Sequence, residues 1–496
     1  MGGQRKGQPR QTMRLGELLD DPIALGTLAK RAVTGLTADS RAVEPGYVFA
    51  ALVGAQVDGR KFIQKAIENG ALAILTDRVT GGSPIPADVA VILDREPRRR
   101  LALMAARFHK SQPEIMVGVT GTAGKTSVAT FVRQLWMAAG NMAASIGTVG
   151  VVVGEETRYG NLTTPDPVSL HRILAELAAD GVTRGAMEAS SHGLHQNRLD
   201  GVRLMAAGFT NLGRDHLDYH PTMEDYLAAK LRLFDVLLPE GGAAVYNADC
   251  PEAQAIEAIA DRRGHRRIGV GEMGTGLTLS NVQMDGMRQR LTIGGAFGEH
   301  DVLLPLAGRF QASNALVAAG LVIGSGGDAA TTLASLATLR GAQGRLEIVG
   351  RTGTGADVIV DYAHKPDALG VVLDAVRPFA SGRIIVVFGA GGDRDPGKRP
   401  LMGAIAVGKA DRVIVTDDNP RTEDPASVRK AILEAAPGAV EIGDRAEAIA
   451  HALADAGSGD VVIVAGKGHE PGQIVGTEVL PFSDHAVIRD LIGSEG

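Results

Sequence analysis

The sequence predicts an α/β fold in three domains, with a central P-loop-type ATPase domain and a C-terminal doubly wound, Rossmann-like domain. Three observations carry the prediction. Apolar β-branched runs alternate with Ala/Leu-rich periodic stretches, the pattern of parallel sheets covered by helices. The length of 496 residues corresponds to about three domains of ~150 residues. The stretch 117–127, V-G-V-T-G-T-A-G-K-T-S, runs from an apolar strand through a glycine turn into a helix, as a phosphate cradle does.

Composition narrows the function. A net charge of −6 and only 4% aromatics give neither the basic footprint nor the stacking platform that nucleic-acid binding needs. The single cysteine, Cys250, can form neither an intrachain disulfide nor a thiolate zinc cage, which fits a reducing cytoplasm. No apolar run is long enough to span a bilayer and the N-terminus lacks the apolar core of a signal peptide, so a cytosolic protein without a membrane partner is expected, as a monomer. The polar, basic start reads as a disordered leader over 1–12 or as a mis-assigned start ahead of Met13. Gly2 is no myristoylation site, because Lys6 stands where Ser or Thr is wanted.

Within the first domain, 1–113, short strands over 47–52, 73–75 and 89–93 mix with helices. Its loops carry Asp39-Ser40-Arg41 and the turn 53–60, which by themselves read as polar surface. The central domain, 114–340, opens on the cradle. Gly121 and Gly124 let successive N–H groups face one anion, the helix adds its positive end, Lys125 adds a full charge, and the Thr126 hydroxyl can hold Mg²⁺. The strict G-x-x-x-x-G-K-[ST] spacing fails because Val119 stands at the first glycine position, leaving G-x-x-G-K-T. The bland alternative is a glycine turn with a solvated lysine. A helix over 128–139 ends at Gly140, and Thr163-Thr164-Pro165-Asp166 opens the next helix with Asp166 as its cap.

Glu188 stands at the end of the next apolar strand, where a carboxylate can reach a metal that bridges nucleotide phosphates. Ser190, Gln196 and Arg198 follow it and alone would be surface. The cluster 211–220, N-L-G-R-D-H-L-D-Y-H, invites a zinc or hydrolase reading. Zinc is disfavoured because no second Cys/His cluster completes a site and a phosphate loop calls for Mg²⁺. Lys230 lies on an amphipathic helix among small residues and on spacing alone is a solvated charge.

In the last domain, 341–496, three strands lead into the loops 389–395, 417–421 and 466–470. Loops after parallel strands of a doubly wound sheet lie along one edge, so the three are expected to converge. The first is no dinucleotide fingerprint, since Arg394 replaces the third glycine. Arg394 and Arg421 are forks suited to carboxylates, and Glu470 with the Asn419 amide suits an ammonium. Together they complement an amino acid charged at both ends.

Gly121-Thr122-Ala123-Gly124-Lys125-Thr126 resembles the G-T-N-G-K-T loop of the Mur ligases and the folylpolyglutamate synthetases, ATP-dependent enzymes that make amide bonds; Ala123 replaces the family's Asn. Further motifs follow in Mur ligase order over nearly the whole chain. The resemblance implies that Ala38, Ser40 and Ala55, Gln56 and Val57 grip the uridine end of a UDP-linked substrate. It implies that Leu162, Thr163, Thr164, Ser190, Gln196 and Arg198 touch its sugar-peptide. The loop with Ser127, Asn314 (in a G-x-F-N-x-x-N-A-like element where Gln311 replaces the first Asn), Arg345 and Asp361 of D-Y-A-H would bind ATP, with Asn314 at the adenine and Asp361 at the ribose. Lys365 follows that motif where relatives often have Thr.

For the metal, the resemblance implies Thr126, Glu188, His216 and a carbamylated Lys230 around Mg²⁺, with Lys125, His216 and Lys230 as catalytic residues. In the family, D-N-P-R accompanies addition of meso-diaminopimelate. Asp418, Asn419, Pro420 and Arg421 match it, with Arg394, Gly466 and Glu470 in the same pocket. The implied reaction is ATP-dependent ligation of meso-diaminopimelate to UDP-MurNAc-L-Ala-D-Glu through an acyl phosphate, in peptidoglycan precursor synthesis. Two alternatives stay open. A lysine-adding Mur ligase or folylpolyglutamate synthetase would share the ATP loop, against the D-S-R and D-N-P-R segments. A UDP-sugar-binding or scaffolding module without catalysis would not need Lys125, Glu188, His216 and Lys230 intact.

Overall fold

The computed structural model describes residues 11–19, 25–54, 57–79, 84–158 and 163–493. Ala55, Gln56, Leu162 and residues 1–10, on which expectations were placed, lie outside these. Among the described residues no helix is long and apolar enough to cross a membrane.

The first sheet is parallel and runs Gly35–Thr37, Tyr47–Ala50, Ala73–Thr76, Ala90–Leu93 in chain order. Both of its faces are covered, which is why its strands read as unbroken apolar runs. Pro97 presets the first turn of the helix Pro97–His109, whose Leu101, Met104 and Phe108 recur at helical spacing and are buried against Leu15 and Leu18. That helix packs on Pro167–Ala179, which Asp166 caps through the N–H groups of Val168 and Ser169. The first sheet is thereby docked on the second.

The second sheet has eleven strands. Its middle is parallel, in the order Ala143–Gly147, Arg184–Glu188, Ile115–Thr120, Ala206–Phe209, Ala243–Asn247, Arg266–Gly271. Gly150–Val153 with Glu156–Arg158 extend one edge antiparallel; on the other, Leu277–Asp285 adds parallel to Arg266–Gly271 and is followed by antiparallel Arg288–Gly295 and His300–Leu304. Lys125–Ala138 and Arg309–Gly324 cover one face, and the second is apolar on nearly all sides because it is buried between the sheet and its neighbours. Register sets Glu188 beside Val119 and Phe209 beside Thr120, so three strands end together under the phosphate loop. The helix Met223–Arg232, capped by Thr222, passes into a π-helical turn at Leu233–Leu237 directly after Lys230.

The third sheet runs Glu347–Arg351, Asp357–Asp361, Val461–Ala465, Ile384–Phe388, Arg412–Val415, Val440–Glu441, parallel apart from its first pairing. Separate apolar cores lie on its two faces, as in a doubly wound fold. The loops that begin at Tyr362, Gly389, Thr416 and Gly466 all leave its carboxyl edge.

Candidate active site

The phosphate loop is shaped by what surrounds it. Gly121 (φ 144°) and Gly124 (φ 87°) hold backbone conformations that other residues disfavour. A Cβ at Gly121 would lie 1.9 Å from Thr210 Oγ1, and one at Gly124 2.3 Å from Asn314 Oδ1. Order at Ala123 comes from the neighbouring strand end: its N–H donates to Asn211 Oδ1 (3.0 Å), and its carbonyl accepts from Thr210 Oγ1 (2.6 Å) and Asn211 Nδ2 (3.3 Å). The side chain that relatives carry at 123 is therefore not needed to hold this peptide. Lys125 folds its ammonium onto the carbonyls of Gly121 (2.7 Å) and Thr122 (2.9 Å), and burial lowers its pKa against the pull of Glu188.

The residues expected around the metal lie about this loop. Thr126 is buried in the first turn of its helix. Glu188 is buried and accepts from the Thr148 N–H (2.8 Å) and hydroxyl (3.2 Å). Thr126 and Glu188 line one cleft of 640 Å³. Lys230, 1% exposed, donates to Gly121 O (2.8 Å) and stands 4.2 Å above the Tyr226 ring. Burial and then the neighbouring Lys125 push its pKa down to about 6. The solvated charge that its helical spacing suggested is thus a buried amine. His216, half-buried at φ 56°, packs edge-on against His192, and burial lowers its pKa while Asp215 opposes.

Among the described residues, no three of His, Cys, Asp and Glu stand close enough to hold a metal by themselves. A hydroxyl, one carboxylate and one imidazole make an oxygen-poor set for Mg²⁺. A carboxylate-type group on Lys230 would complete it, so these residues fit the ion in that form.

A chain of contacts runs from this loop to the third sheet. Asn314, behind Gly124, donates to Gln311 Oε1 (3.1 Å), and Gln311 donates to the Arg345 carbonyl (3.3 Å). The Arg345 guanidinium lies 4.9 Å over the Tyr362 ring. Asp361, expected at a ribose, turns both carboxylate oxygens to backbone amides, accepting from Leu346 N–H (2.7 Å), in the link between the second and third sheets that serves as the hinge, and from Ala363 N–H (2.8 Å). Burial pushes its pKa up to about 6.

Between the first two sheets lies a cavity of 720 Å³ that brings Ala38 together with Gln196 and Arg198. Arg198 is aimed by Thr164 O (2.8 Å) and Gln196 Oε1 (2.8 Å), while the Thr164 hydroxyl binds Ser190 Oγ (3.0 Å). Thr163 joins Thr148 (3.1 Å), and so touches the partner of Glu188. Ser40 opens the short helical turn beside this cavity, capped by Asp39, and Val57 is exposed.

In the third sheet the three loops do meet. A Cβ at Gly392 would lie 1.9 Å from Pro420 O, and one at Gly466 3.2 Å from Asp418 Oδ2. Arg421, at φ 53°, donates to Gly392 O (2.8 Å), and Arg394 Cγ lies 3.8 Å from where a Gly391 Cβ would be. Asn419 Nδ2 donates to Glu470 Oε2 (2.9 Å). Residue reasoning gave Lys467 no role, yet it is wholly buried among these groups. The available signal was its position between Gly466 and Gly468, which face Asp418 and Tyr362.

Comparison with known proteins identifies the family. Sequence profiles match for the Mur ligase family catalytic domain over residues 32–109, the Mur ligase middle domain over 119–322, and the Mur ligase glutamate ligase domain over 344–468. The UDP-N-acetylmuramoyl-L-alanyl-D-glutamate--2,6-diaminopimelate ligase of Bradyrhizobium diazoefficiens is 55% identical over 489 residues, covering 97% of this chain and 99% of its own. The protein of the same name from Caulobacter vibrioides is 53% identical over 481 residues, covering 96% and 98%. A solved structure of a UDP-N-acetylmuramoyl-L-alanyl-D-glutamate--2,6-diaminopimelate ligase superposes with a TM-score of 0.73 at 32% identity, covering 98% of this chain and 99% of that one. A folylpolyglutamate synthase of Mycobacterium tuberculosis, complexed with ADP and AMPPCP, shares the fold at a TM-score of 0.59 and 19% identity, over 78% of this chain and 92% of its own. With profiles matching most of its length and relatives of this identity aligned end to end, the chain belongs to the Mur ligase family.

Proposed function

We propose that the protein is an ATP-dependent ligase that adds meso-2,6-diaminopimelate to UDP-N-acetylmuramoyl-L-alanyl-D-glutamate, a step of cytoplasmic peptidoglycan precursor synthesis. The observation that carries the reading is the meeting of the loops of Asn419, Arg421 and Glu470 on one sheet edge, where the Asn419 amide donates to Glu470 and Arg421 to Gly392 O; with Arg394 on the neighbouring loop, these groups supply cations suited to carboxylates and an anion suited to an ammonium. Relatives at about 55% identity bear the name of this activity.

The loop amides of 121–124, the helix end at Lys125 and the Lys125 ammonium cradle the ATP phosphates and stabilise charge on the transferring phosphoryl group. The acceptor is the D-glutamate γ-carboxylate, carried toward the loop by the UDP-substrate cavity at Ala38, Gln196 and Arg198. Diaminopimelate, its distal carboxylate and ammonium held by Arg421 and Glu470, attacks the acyl phosphate through its other amine, which gives up a proton as the amide forms and phosphate leaves. Closure of the third sheet over the second excludes the water that would otherwise hydrolyse this intermediate. Thr126, Glu188, His216 and Lys230 as its carbamate would hold Mg²⁺, which supplies charge neutralisation between the phosphates. Burial favours the free amine of Lys230, whose pKa near 6 leaves it largely uncharged at neutral pH, and the free amine is the form that adds CO₂ with loss of a proton; the carbamate's own negative charge would be offset by Mg²⁺.

ADP release measured with each substrate omitted in turn tests the proposal. Release should require both the UDP-linked dipeptide and meso-diaminopimelate. Release that ignores meso-diaminopimelate would overturn it.

A further inference from the structure

We infer that Lys467 is a positioning residue of the amino-acid pocket, a buried cation that orients Asn419 and Glu470 and thereby sets the affinity for the distal ammonium of the incoming diamino acid. The inference rests on the functional reading above. It starts from the burial of Lys467, whose side chain has no exposure to solvent. An ammonium removed from water survives only where acceptors surround it, and every acceptor here belongs to a pocket loop. Its Nζ lies 3.1 Å from Asn419 Oδ1, 3.2 Å from Glu470 Oε2 and 3.8 Å from Asp418 Oδ1. Asp418 Oδ1 is buried and has no hydrogen-bond partner, and Lys467 is the cation in ion-pair range of it.

The geometry assigns each contact a consequence. An Asn side chain can face either way, and in Asn419 the choice is made by two donors: Lys467 and the Ile474 N–H (2.9 Å) both point at Oδ1. The amide nitrogen must then face Glu470, whose Oε2 it meets at 2.9 Å. Oε2 is thereby fixed by Asn419 and Lys467, and the Tyr362 hydroxyl also bonds this carboxylate, so Glu470 is held in one orientation for a ligand ammonium. Lys467 also offsets part of the negative charge of Asp418 and Glu470, with Lys398 acting on Asp418 and Arg445 on both. Without the cation, Asn419 Oδ1 keeps only the Ile474 N–H to orient it, and the Asp418 and Glu470 carboxylates lose the positive charge between them.

The loop that carries Lys467 is itself fixed. Gly466 N–H donates to Asp361 O (3.0 Å) and Glu470 N–H closes a turn on Lys467 O (3.0 Å). Arg445, buried and paired with Asp484, donates to Ala465 O (3.0 Å) just before it. Loss of the Lys467 charge would therefore act on side-chain orientation more than on the loop's path.

The test is a double-mutant cycle on the full-length protein, with KM values for meso-diaminopimelate, ATP and the UDP-linked dipeptide. Wild-type turnover with meso-diaminopimelate is the first arm; its absence would refute the functional reading without bearing on Lys467. Given that turnover, Lys467→Met should raise KM for meso-diaminopimelate on the order of 100-fold and leave the other two KM values within about twofold. In a Glu470→Gln background the same substitution should raise it less than about threefold, because the group that Lys467 orients has lost its charge. Lys467→Gln, which keeps a donor and drops the charge, serves in the same cycle if the methionine variant does not fold. An unchanged KM, a penalty shared equally by all three substrates, a full penalty persisting in the Glu470→Gln background, or failure of both variants to fold would each mark Lys467 as a core support and overturn the inference.

Discussion

Lys230 shows how burial can change the chemistry of a side chain. Its amine is enclosed beside Lys125 and Tyr226, and its pKa falls from the usual 10.5 to about 6. The cost of burying the ammonium is complete below about pH 6 and is relieved as pH rises toward 10.5, so the wild type gains stability with pH across that window. The gap in Tm between wild type and Lys230→Met should narrow steadily from pH 6 to 10; a constant gap would contradict the burial of a titrating amine. Lys230→Ala should lower kcat by about 100-fold or more, with partial rescue by acetate standing in for the carbamate. In the proposed function Arg421 meets the distal carboxylate of meso-diaminopimelate, which lysine lacks. Its loss should cut turnover of meso-diaminopimelate and shrink a discrimination against lysine of roughly a thousandfold, with ATP binding unchanged. Undiminished discrimination in Arg421→Ala would remove this arginine from substrate choice.

At the scale of elements, the strand Ile115–Thr120, its glycine turn and the helix Lys125–Ala138 form one unit, and neither Gly121 nor Gly124 has room for a side chain. Gly124→Ala would combine a positive φ with a collision against Asn314, and should cost ~1–3 kcal/mol of stability. Thermal denaturation and ATP titration check this, and a variant as stable and as tight as wild type would contradict it. This unit was legible in the sequence, because glycines, Lys125 and Thr126 behind an apolar run leave few alternatives. The Glu188 strand and the convergence of the last three loops were legible as well, since parallel topology dictates which strand ends meet. Other features depend on contacts between distant segments and leave no local pattern. Asp361 turns inward because Leu346 and Ala363 offer it their amides. Lys467 reads as an ordinary surface lysine until Asp418 and Asn419, about fifty residues earlier in the chain, close over it. Helical spacing likewise cannot say that Lys230 faces Gly121 O rather than water.

Across the whole molecule, the nucleotide loop and the amino-acid pocket are joined by packed side chains. Gly124 touches Asn314, Gln311 reaches Arg345, Arg345 lies over Tyr362, and Tyr362 stacks on His469 beside Glu470. The second and third sheets also meet at Asp215 and Lys365 (3.5 Å). Gly344 lies where this path bends: its φ is 66° and a Cβ would come within 2.5 Å of His469 N. Gly344→Ala should therefore lower kcat at least ~10-fold while ATP affinity is retained, because hinge positions govern closure more than ligand contact. Unchanged kcat would separate the hinge from the amino-acid loop. The central claim is that one molecule phosphorylates a UDP-linked dipeptide and hands it to a diamino acid chosen by Arg421 and Glu470. The most direct measurement offers the protein ATP, Mg²⁺ and UDP-N-acetylmuramoyl-L-alanyl-D-glutamate with equal meso-diaminopimelate and L-lysine, and identifies the product by mass. The account predicts the meso-diaminopimelate adduct almost alone; a lysine adduct in comparable amount, or no UDP-linked product, would contradict it.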